Sequence, residues 1–242
     1  MQLYTDFRDW YDFAFSNKGL LFERLSYSGF NRRDMLHFLS AAGLHTPAFG
    51  TVEALTERIS EEWGNPLYDY ALQRIVSLVV YTDENSHQGE GKILLSAAEA
   101  LKDYPQHLAS EYIPSITGLG FTFRWLQIGK AKWWLKYWSI DDWRSNVGDG
   151  GCSIIQRLPD GRPDNPAFID FPMFAIDFVP SAGGLFAVDF NVAPGLGPLN
   201  GYVKGSEIVS LIKEEVKSCK YWRKHGHCLK ARRRTGGKLC EK

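Results

Sequence analysis

Phe174-Ala175-Ile176-Asp177-Phe178-Val179-Pro180-Ser181-Ala182-Gly183-Gly184-Leu185-Phe186-Ala187-Val188-Asp189-Phe190-Asn191-Val192-Ala193-Pro194-Gly195-Leu196 reads as two strands joined by a turn, with acids on one face only. Side chains alternate across a strand, so Phe174, Ile176, Phe178, Phe186, Val188, Phe190 and Val192 form an apolar face. Asp177, Asp189 and Asn191 take the other. The loop predicted over Pro180–Gly184 pairs Val179 with Leu185, which sets Asp177 near Ala187 and diagonal to Asp189, roughly 7–8 Å between backbones. A slip of one residue would send Asp177 into the opposite layer. Two carboxylates and an amide on one face are hard oxygen donors that suit Mg²⁺, which keeps some waters and takes other ligands from substrate phosphates. An edge hairpin with an acidic wet face has the same pattern.

The chain of 242 residues can bury roughly 70–75% of its unfolded surface, enough for one large domain or two small lobes. It has no apolar run of membrane-spanning length, and Met1 to Trp10 carries acids and aromatics instead of a basic and then apolar leader. Of four cysteines, three fall in the last 24 residues, too few for a disulfide framework. The expectation is a soluble, cytoplasmic protein with no membrane partner. The net charge of zero is a cancellation: residues 217–242 hold ten Lys and Arg against Glu241 alone, leaving 18 basic and 27 acidic residues before them. Such a tail can meet nucleic acid, an acidic partner or the acidic body of its own chain.

Residues 1–30 are rich in aromatics without a period and are expected as an arm packed on the body. Asn31 as cap, Met35, Phe38, Leu39 and Ala42 at helical spacing, and Gly43 with Pro47 beyond predict a helix of about 12 residues. Ile75–Tyr81 is a β-branched run, Thr82–Gly91 a polar glycine loop, Lys92–Leu95 a second strand, and Ser96-Ala-Ala-Glu99 a capping box opening a helix. Residues 121–128 and 133–140 predict aromatic strands turned by Gly129-Lys130, followed by a bend over Gly148–Gly151. Ser206–Lys217 is amphipathic, with Ile208, Leu211, Ile212 and Val216 on one side.

Several constellations have a chemical and a structural reading. Ser86, His87, Gln88, Gly89, Glu90 and Gly91 can lay backbone N–H groups against a phosphate chain, or can be a plain turn between strands. Arg144 and Asn146 stand two apart, on one face if the segment is extended, and offer a planar fork and a donor–acceptor amide to a ligand. Alternatively, Arg144 pairs with Asp141 or Asp142. Trp133, Trp134, Trp138 and Trp143 suit a stacking platform, but strands this rich in Trp bury it. Cys219, His225, His227, Cys228 and Cys240 lack the close pairs of structural zinc, which favours a solvated basic tail.

Together these segments resemble the ATP-grasp superfamily, and within it the branch that joins glutamate to a ribosomal protein tail. Four stretches over roughly 31–212 carry the resemblance: 31–47 as the first helix and its Gly/Pro exit; 86–91 with Glu111-Tyr112-Ile113-Pro114; Asp142-Trp-Arg-Ser-Asn146 with Gly150-Gly151; and Asp177 with Asp189-Phe-Asn191 and Pro194-Gly-Leu196. The resemblance implies an α+β, two-lobed fold with lobes at 31–113 and 114–216, the arm 1–30 before them and the basic tail 217–242 after. It implies ATP between the lobes, with Ser86, His87, Gln88, Gly89 and Gly91 on the phosphates and Glu111, Tyr112 and Ile113 on adenine. Mg²⁺ would sit on Asp177, Asp189 and Asn191, with Arg144 and Asn146 catalytic. The implied reaction joins a small-molecule or peptide carboxylate to an amine, less often a thiol, through an acyl phosphate. The pattern departs where the family has two phosphate lysines: Met35 and Tyr81 or Thr82 stand there, so Arg32, Arg33 or Lys92 substitutes, or nucleotide binding is weakened or lost. Asp189 replaces a more usual Glu, and the α/β domain that commonly precedes the lobes is missing, which a homodimer could make up. The alternative is a non-catalytic descendant that binds a partner or nucleic acid through the tail; a nucleic-acid-associated ligase is a third reading.

Overall fold

A computed structural model describes residues 31–63, 76–86, 90–158, 173–191 and 194–218. The aromatic arm, His87, Gln88, Gly89, Val192 and the Cys/His residues of the tail lie outside the described residues. Helix α1 (Arg32–Ala41) opens where the sequence predicts, with the Asn31 side chain accepting from the Asp34 N–H at 2.9 Å. Its Met35, Leu36 and Leu39 are buried.

The first sheet follows. Strand β1 (Phe49–Thr51) runs straight into α2 (Val52–Trp63), with the Thr51 hydroxyl accepting from the Ala54 N–H. Then come β2 (Ser77–Tyr81), β3 (Lys92–Ser96), the short helix α3 (Ala97–Asp103) and β4 (Leu108–Glu111). All pairs are antiparallel, in the order β1-β4-β2-β3. The capping box at α3 is complete: Ser96 and Glu99 exchange both bonds. Alternation along β2 sends Leu78 and Val80 into a cluster with Val52 and Leu55 of α2 and Ala97 and Ala100 of α3, while Val79 and Tyr81 face the other way.

The second sheet comprises β5 (Gly120–Ile128), β6 (Ala131–Ser139), β7 (Gly150–Leu158), β8 (Met173–Ser181) and β9 (Gly184–Asn191), all antiparallel, in the order β7-β6-β5-β8-β9. Helix α4 (Gly205–Ser218) and a 3-10 turn at Gly197–Leu199 cover one end of one face, against Leu126, Ile128, Trp133, Leu135, Met173 and Ala175. The other face contributes Trp125, Phe174, Ile176 and Phe178 to a cluster with Met35, Leu36 and Leu39. Strands β1, β4 and β7 and helix α2 were not anticipated. Gly150–Gly151, expected as part of a bend, instead begins β7, and the buried Trp133 rules out a platform at that position.

The α1 exit joins the two sheets. His45 accepts from the Ala187 N–H at 2.7 Å, and three residues on, Ala48 accepts from the Glu111 N–H at 2.8 Å. A single segment is thereby bonded to β9 and to the end of β4.

Candidate active site

The β8–β9 hairpin does not take the predicted register. Its turn is Ala182-Gly183, closed by Ser181 opposite Gly184, so Val179 lies opposite Phe186 and not Leu185. The left-handed φ of 109° at Gly184 permits this tight connection. The pairing is therefore slipped by one from the expected register, the shift that should separate the acids. A bulge undoes it: between Phe178 opposite Ala187 and Asp177 opposite Asp189, β9 holds one extra residue, Val188. Asp177 and Asp189 then face each other directly, closer than the expected diagonal. Asn191, opposite Ala175, shares their side of the strand by alternation. The apolar face is corrected accordingly. Phe174, Ile176, Phe178 and Phe190 keep it, whereas Phe186 takes the side of Val179 and stacks on the His45 ring at 3.9 Å.

Beyond the part of the sheet covered by α4, the same face turns polar at Thr122, Arg124, Asp177 and Asp189. There it meets the free face of the first sheet across a solvent-open cleft of about 800 Å³. Val79, Tyr81, Lys92 and Ser110 line one wall, and Thr122, Asp177, Val179, Val188 and Asp189 the other. The connection Glu111–Ile113 and the turn Trp143–Asn146 complete the rim. Tyr112 and Trp143 meet edge to face at 6.0 Å, holding those two segments together. Asn191 is not among the lining residues. Ser86 and Gly91 close the base of the glycine loop outside the cleft: the Ser86 hydroxyl donates to Asp83 at 2.6 Å, and the Gly91 carbonyl accepts from the Asp83 N–H.

Each acid is held by an arginine. Arg124 on β5 chelates both oxygens of Asp177, at 2.6 and 2.7 Å, and lies over the Tyr137 ring, 4.4 Å from its centre. Arg32, only 7% exposed, donates to Asp189 Oδ1 at 2.5 Å, and the same oxygen accepts the Phe190 N–H at 3.0 Å. Burial alone would raise the Asp189 carboxyl, but Arg32, Lys92 and Arg124 outweigh it and hold the group below its ordinary value. Half-buried Lys92 is pulled the other way: burial lowers it, more than Asp189 restores. Arg33 is spent on Glu84, through contacts of 2.8 and 3.3 Å.

The segment with Arg144 and Asn146 is a turn and not an extended strand, because its polar groups close on one another. Asp142 accepts from the Arg144 backbone at 2.8 Å and from its guanidinium at 2.9 and 2.7 Å. Asp141 accepts from the Asp149 N–H and the Ser139 hydroxyl. The structural partner foreseen for Arg144 is thus present, and Arg144 and Asn146 still reach the cleft. Glu111 and Tyr112 line it too, with their N–H groups donated to Ala48 and Ser77. Sequence reading passed over Arg124 and named Lys92 only as one substitute among three. A lone arginine on an aromatic strand, at the parity of Thr122 and Leu126, was the available signal.

No protein-family model matches the chain, and no curated protein matches it in sequence. Solved structures do. A D-alanine-D-alanine ligase from Bacillus anthracis superposes with a TM-score of 0.45 at 10% identity, over 78% of this chain and 67% of that one. A RimK domain ATP-grasp protein from Sphaerobacter thermophilus gives 0.41 at 16% identity, over 77% and 66%. A RiPP-associated ATP-grasp ligase from Chryseobacterium gregarium gives 0.43 at 12% identity, over 76% and 58%. The chain thus spans about two thirds or less of these proteins' lengths. Two of these three neighbours are ATP-grasp proteins by name, and the likeness is one of fold alone.

Proposed function

We propose that the cleft binds ATP and that the chain is an ATP-dependent carboxylate–amine ligase working through an acyl phosphate. One observation carries this reading: residues far apart in sequence (Val79, Tyr81 and Lys92; Ser110 to Ile113; Trp143 to Asn146; Asp177 and Val179; Val188 and Asp189) line a single cleft that has acids on one wall and a lysine on the other. A substrate carboxylate oxygen attacks the γ-phosphorus, the bond to the β-phosphate oxygen breaks, and ADP leaves. The amine then attacks the acyl carbon, phosphate departs, and the amine proton passes to phosphate or solvent. Catalysis of this kind needs positioning and charge neutralisation instead of a side-chain nucleophile. In this reading Glu111–Ile113 contact adenine, Arg144 the transferring group, and Asn146 orients it; the loop 86–91, whose base lies outside the cleft, would have to reach in from the edge to meet the phosphates.

Asp177, Asp189 and Asn191 would hold Mg²⁺. Their donor chemistry suits it, since two carboxylates stand directly opposite on adjacent strands with an amide on the same side. The cation, when bound, neutralises phosphate charge. Arg124 and Arg32 compete with it for the same oxygens. That competition favours a second reading, a non-catalytic relative in which guanidinium groups have taken over from metal and the basic tail meets a partner or nucleic acid. A thermal melt with and without millimolar MgATP separates the two. A ligand at 100 times its dissociation constant adds about 2.7 kcal/mol, and no shift favours the binder. ADP release screened over amino acids and peptides then tests the ligase, with Asp189→Ala and Asn191→Ala expected to abolish turnover.

A further inference from the structure

We propose that one end of the second sheet, at the mouth of the cleft, is a docking surface for a short peptide segment that carries aliphatic side chains next to a basic one. Docking there needs no nucleotide and goes beyond the ligase reading.

Six large apolar side chains are exposed among the described residues, and four of them lie at one end of this sheet. Ile140, 75% exposed, follows the last residue of β6, and Leu119, 53% exposed, precedes the first of β5. Ser139 pairs with Gly120, so these two leave neighbouring strand ends. Ile116, 68% exposed, donates its N–H to the Pro180 carbonyl of β8 at 3.0 Å, and Leu185, 40% exposed, stands opposite Pro180 on β9. The sheet order β6-β5-β8-β9 makes them a row across four strands. Single exposed apolar residues are ordinary on a surface, whereas a contiguous row marks an interaction site. Leu119 also lines the cleft, so the row reaches its mouth.

Size and charge select the occupant. Strands lie about 4.8 Å apart, so the row is roughly 14 Å long, the length of about four residues of extended chain and too long for a free amino acid. Four partly exposed aliphatic side chains offer a few hundred Å², against about 800 Å² per partner in a stable dimer, which disfavours a second copy. At the β6 end the Ile140 N–H donates to the Asp149 carbonyl at 2.8 Å, and the Asp141 carboxylate accepts from the Asp149 N–H. Both acids are exposed, and neither is ion-paired with a described residue. Arg144, three residues on from Asp141, is bound to Asp142. A lysine or arginine of the peptide placed beyond Ile140 meets both carboxylates.

The test uses the full chain and a displayed library of random octapeptides, without nucleotide. Selected sequences should carry aliphatic residues beside lysine or arginine, and a labelled synthetic copy should bind wild type in fluorescence polarisation. Its affinity should fall about tenfold or more when Leu119→Ser and Ile140→Ser are combined, and severalfold in Asp149→Asn. Ile155→Ser, at a comparably exposed position on β7, should leave it unchanged. Thermal melts of all variants should stay close to wild type, because the altered side chains are exposed, so a lost affinity is not a lost fold. The assignment is overturned if no peptide is selected, or if the selected peptide binds the Leu119/Ile140 double variant as well as wild type. It is equally overturned if sedimentation shows a dimer that the double variant dissolves, since the row then belongs to a second copy. Each of these outcomes leaves the ligase reading standing.

Discussion

At the scale of single residues, the acid pair on β8 and β9 sets the behaviour of the cleft. Two carboxylates directly opposite on neighbouring strands repel, and the fold answers with one guanidinium for each. Asp189 sits below its ordinary value of 3.8 through Arg32, Lys92 and Arg124, against the opposing effect of burial. A depressed carboxyl adds stability that is fully present above the unfolded value and is lost as pH falls through the folded one. Urea unfolding of wild type and Asp189→Asn should therefore differ by a constant amount near neutrality. The gap should narrow as pH drops below the 3.8 of an ordinary Asp. A gap that persists unchanged into strong acid would show that Asp189 contributes by shape and not by charge.

At the scale of elements, the turn carrying Arg144 and Asn146 is positioned by a missing side chain. Gly120 begins β5 against it, and a Cβ there would collide with the Asp142 carbonyl oxygen and press on that of Arg144 at 3.0 Å. Backbone cannot give way as a side-chain tip can, so Gly120→Ala must push the turn outward. The expected outcome is ADP or ATP affinity reduced severalfold, with a stability loss of only about 1–2 kcal/mol. Calorimetry and urea unfolding of the same preparation check both. Unchanged affinity would mean that the turn does not touch the nucleotide.

At the scale of the whole molecule, α1 and its exit relate the two sheets. Leu39 is fully buried in the cluster that takes residues from both, whereas Leu55 of α2 belongs to the cluster of the first sheet alone. Leu39→Ala and Leu55→Ala should each cost about 2–5 kcal/mol. Only Leu39→Ala should also weaken nucleotide binding, because only that cavity lies where the walls of the cleft are joined. Equal effects of both variants on ADP affinity would refute this division.

What the sequence determined by itself is what neighbouring residues settle among themselves. The Asn31 cap, the Ser96–Glu99 capping box, the β5–β6 turn and the alternation in β8 are local, and the chain adopts each as read. Helix α2 was legible as well, since Val52, Leu55, Thr56 and Ile59 recur at helical spacing behind Thr51. It was overlooked. Strands β1 and β4 are only three and four residues long, and β7 is largely exposed, so none carries a clear period. Only the tertiary structure decided the register of the acids. Local turn chemistry chose the two-residue turn and its slip, and the bulge at Val188 that reverses the slip depends on distant groups: His45 accepting from Ala187, Met35 sulfur from Phe190, and Arg32 reaching Asp189. The pairing of Arg124 with Asp177 arises in the same way, because which charges meet across a cleft is set by how separate elements pack and by nothing within either of them.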